Sequence, residues 1–308
     1  MSERHAVDVT VVGAGVIGLT TAVELQAAGH RVQVVAAAKG DATTSAVAGA
    51  LWFPFYADPP GRVNGWARRS RERLEALARD VPIAGVDVLT AYEAAGGAEA
   101  PWWAPSVPDL THVDSSPLGC PAWRFSAPRV EPALFLGWLE GQLQRPIHAE
   151  KVTSLEAVEG EVVVHCAGLG ARALAGDASL QAVYGQVLLV APGELDTGLS
   201  LADARDESAM LYSIPRRRDV VLGGCALPCP DQQSLTPDPV LRELILERAR
   251  ASGLRHGPVL GERAGLRPYR PSVRLEREGR VIHNYGHGGA GYTLAYGCAE
   301  GVVELLSR

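Results

Sequence analysis

Two glycine-rich turns, one near each end of the chain, hold the residues best suited to chemistry. The later one, HNYGHGGAGYT at His283–Thr293, places Gly286, Gly288, Gly289 and Gly291 where a strand should pass into a C-terminal helix, with Gly297 just beyond. Glycine there lets the main chain approach a ligand closely. It also leaves a helix N-terminus with unpaired N–H groups and a positive dipole end. The earlier turn, VVGAGVIG at Val11–Gly18, has the G-x-G-x-x-G spacing through Gly13, Gly15 and Gly18. Such turns bind phosphate and other anions through backbone N–H groups. A dinucleotide held at its phosphates by the first turn and at its reactive ring by the second would stretch across the whole fold. That arrangement favours FAD over NAD.

The first turn needs a strand before it and a helix after it, and the sequence supplies both. Val7–Val12 is a β-branched run of the kind buried on both faces of a parallel sheet. LTTAVELQAAGH then has helical periodicity, Gly29 provides a stop, and RVQVVA reads as a second parallel strand. In this βαβ unit one glycine makes the tight turn, one admits the pyrophosphate and one allows close helix–strand packing. Backbone contacts are expected from Gly13, Ala14, Gly15, Val16, Ile17 and Gly18. The carboxylate that usually ends the second strand to hold ribose hydroxyls is missing. Ala36, Ala37, Ala38 and Lys39 stand there, so ribose contacts must come from the backbone or from elsewhere, with Asp41 a candidate.

Composition narrows the remaining classes. At 308 residues and 47% hydrophobic, the chain can bury a large core shared by two connected domains. The formal charge of −6 is interspersed, with no basic stripe for nucleic acid and no Lys/Arg block for a membrane surface. The charged N-terminus does not read as a signal peptide, and no apolar run is long enough to span a bilayer. A cytoplasmic protein is expected. Five cysteines and no CxxC do not make a disulfide scaffold. Cys225 and Cys229 are read as buried thiols or a local disulfide. No His/Cys/Asp cluster has metal-ligand spacing, and no metal is expected.

The segments VVGAGVIGL, DATTSAVAGALWFPF (Asp41–Phe55), YSIP, GLRPYRPSVRLE and HNYGHGGAGYT together resemble the D-amino-acid oxidase family of flavoproteins. They touch both ends and the middle of the chain, and the last two phrases are specific. The resemblance implies that Thr43, Thr44 and Ser45 cradle the phosphates; taken alone, they also read as a helix N-cap cluster. It implies that Gly49, Ala50, Leu51 and Trp52 run along the flavin edge. It also implies that Val152, on a strand EKVTSL, meets the adenine and that Ala167 and Gly168 pass under the dinucleotide. At the reactive end it implies an Arg267–Tyr212 clamp on an amino acid's carboxylate, with Arg267 also counted among the flavin contacts. The Gly289 carbonyl would face the substrate amine, Phe53 would form the pocket wall, and Gly288, Gly291, Tyr292 and Thr293 would contact the flavin. His287 is expected to pack or hydrogen-bond beside the ring rather than act as a base.

Two departures from the family bear on specificity. A lid tyrosine of mammalian members is replaced by Ser208, within the polar segment Ala202–Met210, and Phe53 stands where some relatives have an amide. An apolar wall and an open lid favour neutral side chains. Arg216, Arg217 and Arg218 read as an exposed hairpin turn, and Arg270 and Arg274 as solvated or ion-paired.

The fold expected is α/β: a Rossmann-like FAD-binding domain from 1–56, 124–175 and 262–308, with an inserted strand-rich substrate-binding domain from 57–123 and 176–261. The expected reaction is oxidative deamination of neutral D-amino acids to 2-oxo acids with ammonia and hydrogen peroxide. Hydride would pass from Cα to flavin N5 with no acid/base residue, and the partners would be a D-amino acid and O2, with a homodimer open as the assembly. Oxidation of glycine, secondary amines or D-aspartate is the alternative on the same fold. A non-catalytic NAD-binding Rossmann protein is the alternative of another class.

Overall fold

The computed structural model describes residues 6–55, 57–206, 210–229 and 235–307. The expected βαβ unit opens the chain as β1 (Asp8–Ala14), α1 (Val16–Ala27) and β2 (Arg31–Lys39). A one-turn helix α2 (Thr44–Val47) precedes the long α3 (Pro60–Asp80). Strands β3 (Val86–Ala94), β4 (Thr111–Val113) and β5 (Ala122–Val130) follow, then α4 (Pro132–Gly141), β6 (His148–Ala149), β7 (Val162–His165) and the short α5 (Ala171–Leu174). The second half contains β8 (Gln181–Val190), β9 (Leu199–Asp203), β10 (Leu211–Pro215), β11 (Val220–Gly223), β12 (Leu227–Pro228) and α6 (Pro239–Ala251). It closes with β13 (Val259–Glu278), β14 (Val281–His287) and α7 (Gly291–Leu306).

These strands join in one sheet, in the order β4-β5-β3-β9-β10-β11-β8-β13-β14-β7-β1-β2-β6, with β12 on β8. The β14-β7-β1-β2-β6 end is parallel, and its buried valines explain the near-continuous apolar runs. The connection runs through β13, which pairs with β8 over Val259–Tyr269 and with β14 over Tyr269–Glu278.

Helices α1 and α7 pack on the parallel end, tied at the sheet by Asn284 Nδ2 donating to Thr21 Oγ1 at 3.1 Å. Helix α3 crosses α7 where glycine removes the barrier: a methyl group on Gly297 would lie 2.3 Å from the Trp66 carbonyl oxygen. The Gly297 N–H donates to Ser70 Oγ at 2.9 Å in that contact. A second apolar layer sits under α6, whose Ile245 and Ala249 meet Leu188, Leu211 and Leu222.

Two elements touch both parts of the expected division. Helix α3, expected within 57–123, packs against β3 and β5 as well as α7. Strand β5, expected mostly with 124–175, pairs with β3 in the strand-rich half. In both cases partners distant in sequence are brought together. A correction concerns EKVTSL (Glu150–Leu155), which is not a strand: β6 ends at Ala149, and the Glu150 N–H adds one bond to the Ala36 carbonyl at 3.0 Å.

Candidate active site

One cavity of about 770 Å³ runs from the C-terminal ends of β1 and β2 to the inner faces of β3, β9 and β10. Its first stretch is the Gly13 turn. Gly13 has φ +119°, and a methyl group there would sit 2.4 Å from the Cys166 carbonyl oxygen; one on Gly18 would sit 1.9 Å from the Gly13 carbonyl oxygen. Gly13, Ala14, Gly15, Val16 and Ile17 line the cavity. Gly18 does not line it: it presses α1 onto β1, the third of the roles that the spacing assigns.

Helix α1 begins at Gly15 with no capping side chain of its own. Ser45 supplies one from a distance, its Oγ accepting the Val16 N–H at 2.9 Å. The hydroxyl therefore stands at the helix mouth, where a phosphate would meet it. Thr43 and Thr44 also line this stretch, as do Ala167, Gly168 and Val152. Thr43 Oγ1 donates to the Gly40 carbonyl at 2.8 Å.

The segment after α2 crosses the middle of the cavity. Gly49, Ala50, Leu51 and Phe53 line it, and Ala50 takes the left-handed φ of +57° that few non-glycine residues adopt. Trp52 does not line it. Its indole is fully buried on the opposite side, with Nε1 donating to the Ala67 carbonyl at 3.0 Å, so the side chain turns away from the cavity. Alternation along an extended segment turned Leu51 and Phe53 inward and Trp52 away. Thr293 Oγ1 is committed to the Phe53 main chain, accepting the N–H at 3.0 Å and donating to the carbonyl at 2.9 Å. It braces the Phe53 wall, whose ring stacks among Trp103 and Phe125.

The β14–α7 turn closes the cavity from the other side. Gly288, Gly289, Gly291, Tyr292 and His287 line it. The Gly288 N–H donates to the Pro268 carbonyl at 2.9 Å, tying this turn to the residue after Arg267. A methyl group on Gly289 would sit 2.6 Å from the Phe55 ring. Helix α7 starts at Gly291 without a side-chain cap. Burial pushes the His287 imidazole down to about 3, so the ring is neutral near pH 7. Its Nε2 and the Asn284 Oδ1 are buried with no partner among the described residues. Two helix mouths, one met by the Ser45 hydroxyl and one without a side-chain cap, a glycine cradle and two orphaned polar atoms on one cavity fit a long anionic dinucleotide such as FAD.

Arg267 and Tyr212 meet in this cavity. The Arg267 guanidinium lies flat on Gly185, where a methyl group would come within 2.4 Å of Nη1. Nη1 donates to the carbonyls of Cys225 at 2.8 Å and Tyr184 at 3.4 Å, and the Phe55 ring lies 5.9 Å from the guanidinium carbon. The Tyr212 ring covers Gly223 and Gly224 in the same manner. Burial raises its phenol above the ordinary value, and the nearby Arg267 charge pulls it back.

The other arginines are accounted for elsewhere. Arg270 pairs with Asp177 at 2.8 Å, and Arg274 with Glu276 at 2.6 Å and the Tyr285 hydroxyl at 2.9 Å. Arg216–Arg218 form the β10–β11 turn away from the cavity. Arg217 and Arg218 are exposed, whereas Arg216 is largely covered by its Asp219 pair at 2.7 Å. The substituted lid position, Ser208, lies outside the described residues. All five cysteines are free, so Cys225 and Cys229 form no disulfide. No metal-holding cluster occurs among the described residues, and no helix among them is long and apolar enough to cross a membrane.

Two cavity carboxylates escaped the sequence reading. Glu150 follows β6 at the open end of the cavity, beside the last residues of β2. It stands near the place where Ala37 lacks a carboxylate, whereas Asp41 does not line the cavity. Glu150→Gln is expected to weaken FAD binding about tenfold, the loss of one charged hydrogen bond from a partly exposed group. Fluorescence titration of apoprotein checks this, and unchanged affinity would remove Glu150 from the site. Glu93 lies at the far end, past Tyr212.

Comparison with known proteins places this geometry. The model of the FAD dependent oxidoreductase family matches residues 8–305. A D-amino-acid oxidase of Rubrobacter xylanophilus is 40% identical over 99% of this chain and 97% of its own, and one of Streptomyces coelicolor is 37% identical over 100% and 99%. The crystal structure of glycine oxidase from Geobacillus kaustophilus superposes with a TM-score of 0.80 at 18% identity, over 99% of this chain and 95% of that one. The fold, the cradle and the full-length likeness converge: the chain is a member of the FAD dependent oxidoreductase family, an enzyme whose cofactor is FAD.

Proposed function

We propose that this enzyme oxidises D-α-amino acids, neutral ones included, to imino acids that hydrolyse to 2-oxo acids and ammonia. The observation that carries this reading is the convergence of Arg267, Tyr212 and the Gly289 turn in the cavity that begins at Gly13. FAD, when bound, supplies the acceptor for the hydrogen and two electrons leaving Cα, and O2 carries them on to hydrogen peroxide. Everything else falls to the chain. The planar Arg267 fork and the Tyr212 hydroxyl bind a carboxylate, and the Gly289 carbonyl accepts from the amine. Three attachments fix which hydrogen of Cα faces the acceptor, so handedness follows from geometry. Phe53 and Phe55 exclude water, and the open mouth of α7 presents N–H groups to negative charge. Neutral His287 is not needed as a base.

The cytoplasm is the proposed compartment, supported by five unpaired thiols. The test of function is anaerobic mixing of the purified yellow holoenzyme with D-alanine or L-alanine. Bleaching with the D-form alone is expected. Equal bleaching by both, or by neither while glycine or D-aspartate bleaches it, would replace the substrate reading.

A further inference from the structure

Beyond Tyr212 the cavity wall carries a carboxylate for which the reaction above has no use. Glu93 of β3 faces the cavity with Ala202, Ala204 and Met210. Strand register puts it there. Glu93 is opposite Ala202 of β9, and Ala202 is opposite Tyr212 of β10. Opposed residues on neighbouring strands project from one face, and strands lie about 4.8 Å apart, so Glu93 and Tyr212 share a face with their backbones about 10 Å apart. An extended ornithine or lysine measures about 6 to 8 Å from carboxylate carbon to terminal nitrogen. The two side chains can therefore hold the two ends of such a molecule.

Among the described residues, no cation is paired with Glu93. Arg205, whose charge reaches Glu93, is engaged by Asp203, through Nε at 2.9 Å and Nη2 at 2.7 Å. Glu93 itself accepts from the Ala204 N–H and forms no ion pair with lysine or arginine among the described residues. Burial, followed by the neighbouring Asp203 charge, pushes its carboxyl up to about 8. With no substrate bound it is then largely protonated near neutrality and tolerates a neutral side chain. An arriving ammonium would stabilise the ionised form.

We propose that Glu93 recognises a cationic substrate side chain, so that D-amino acids bearing an ammonium or guanidinium at the end of a chain of four or five heavy atoms are selected over neutral side chains of equal length. This rests on the reading of the enzyme as a D-amino-acid oxidase.

The test compares D-ornithine with its neutral isostere D-norleucine, by oxygen consumption, in wild-type holoenzyme, Glu93→Gln and Glu93→Asp. The wild type is expected to favour D-ornithine. Glu93→Gln should lower the ornithine-to-norleucine ratio of kcat/KM by about 10- to 100-fold, chiefly through the KM for ornithine. Glu93→Asp should restore part of that ratio, more for the longer D-lysine. The flavin spectrum and melting temperature show that each variant is folded and loaded. If wild type shows no preference for the cation, or Glu93→Gln leaves the ratio unchanged, the role of Glu93 is overturned while the oxidase reading stands. If wild type oxidises neither compound nor any other D-amino acid, the functional reading falls and takes this inference with it.

Discussion

Replacing Arg267 with methionine is expected to lower kcat/KM for D-alanine by about a thousandfold while leaving the protein folded and yellow. Truncating one partner of a desolvated charge pair costs about 2–5 kcal/mol, which corresponds to roughly 30- to 4,000-fold. The upper part of that range applies because the guanidinium is already aimed. It is stacked on Gly185, held by the Cys225 carbonyl and covered by Phe55. KM should rise from lost carboxylate binding, and kcat should fall because Cα is no longer presented in one orientation. Methionine is long and apolar enough to lie on Gly185, so the melting temperature should change little. Arg267→Lys keeps the charge without the fork and should recover only a small part of the loss. Steady-state kinetics with D-alanine check this, and a kcat/KM within threefold of wild type would remove Arg267 from the carboxylate site.

At the other end of the cavity, Gly13→Ala is expected to yield colourless, less stable protein. The substitution meets two obstacles. The φ of +119° is one that L-residues avoid, a strain of about 1–3 kcal/mol. The new methyl also collides with the Cys166 carbonyl oxygen at 2.4 Å, and that main chain is held by the Cys166 N–H donating to the Val12 carbonyl at 2.8 Å. Relief requires moving the turn away from the helix mouth. FAD affinity should drop about 100-fold or more, with a melting temperature lower by about 5 °C or more. Gly29→Ala separates the two causes: φ there is +94° but nothing lies within 4 Å. It should cost some stability and keep full FAD binding. Equal loss of cofactor in both variants would show that strain, rather than the collision, is responsible.

What could be read from the sequence divides along the range of the interactions concerned. The β1–α1–β2 unit and both glycine turns were legible because each is a local pattern whose spacing mirrors its geometry. Arg267 and Tyr212 were legible through the phrases around them, although nothing local shows that they meet. The side-chain directions of Trp52 and Thr293 were not legible, because their segments line the cavity while the side chains themselves turn the other way. Glu93 was invisible for a different reason. Its position depends on parallel pairing of β3 with β9, more than 100 residues later, and no nearby residue signals that register. Glu150 was hidden in the same manner by a strand of two residues beside β2.

Strand β13 exchanges partners at Tyr269, between Pro268 and Pro271. Proline cannot donate to a ladder, so this is where one neighbour can be traded for another without wasting a bond. Within the sheet Arg267 itself pairs with β8, opposite Val183. A slip of a single position on that side would send the arginine to the reverse face and aim Leu266 or Pro268 inward. An equal slip against β14 would reach the arginine only through the Tyr269–His287 pair and the Pro268–Gly288 bond. Evolution could thus rework how the cofactor is cradled without repeatedly rebuilding the grip on the substrate.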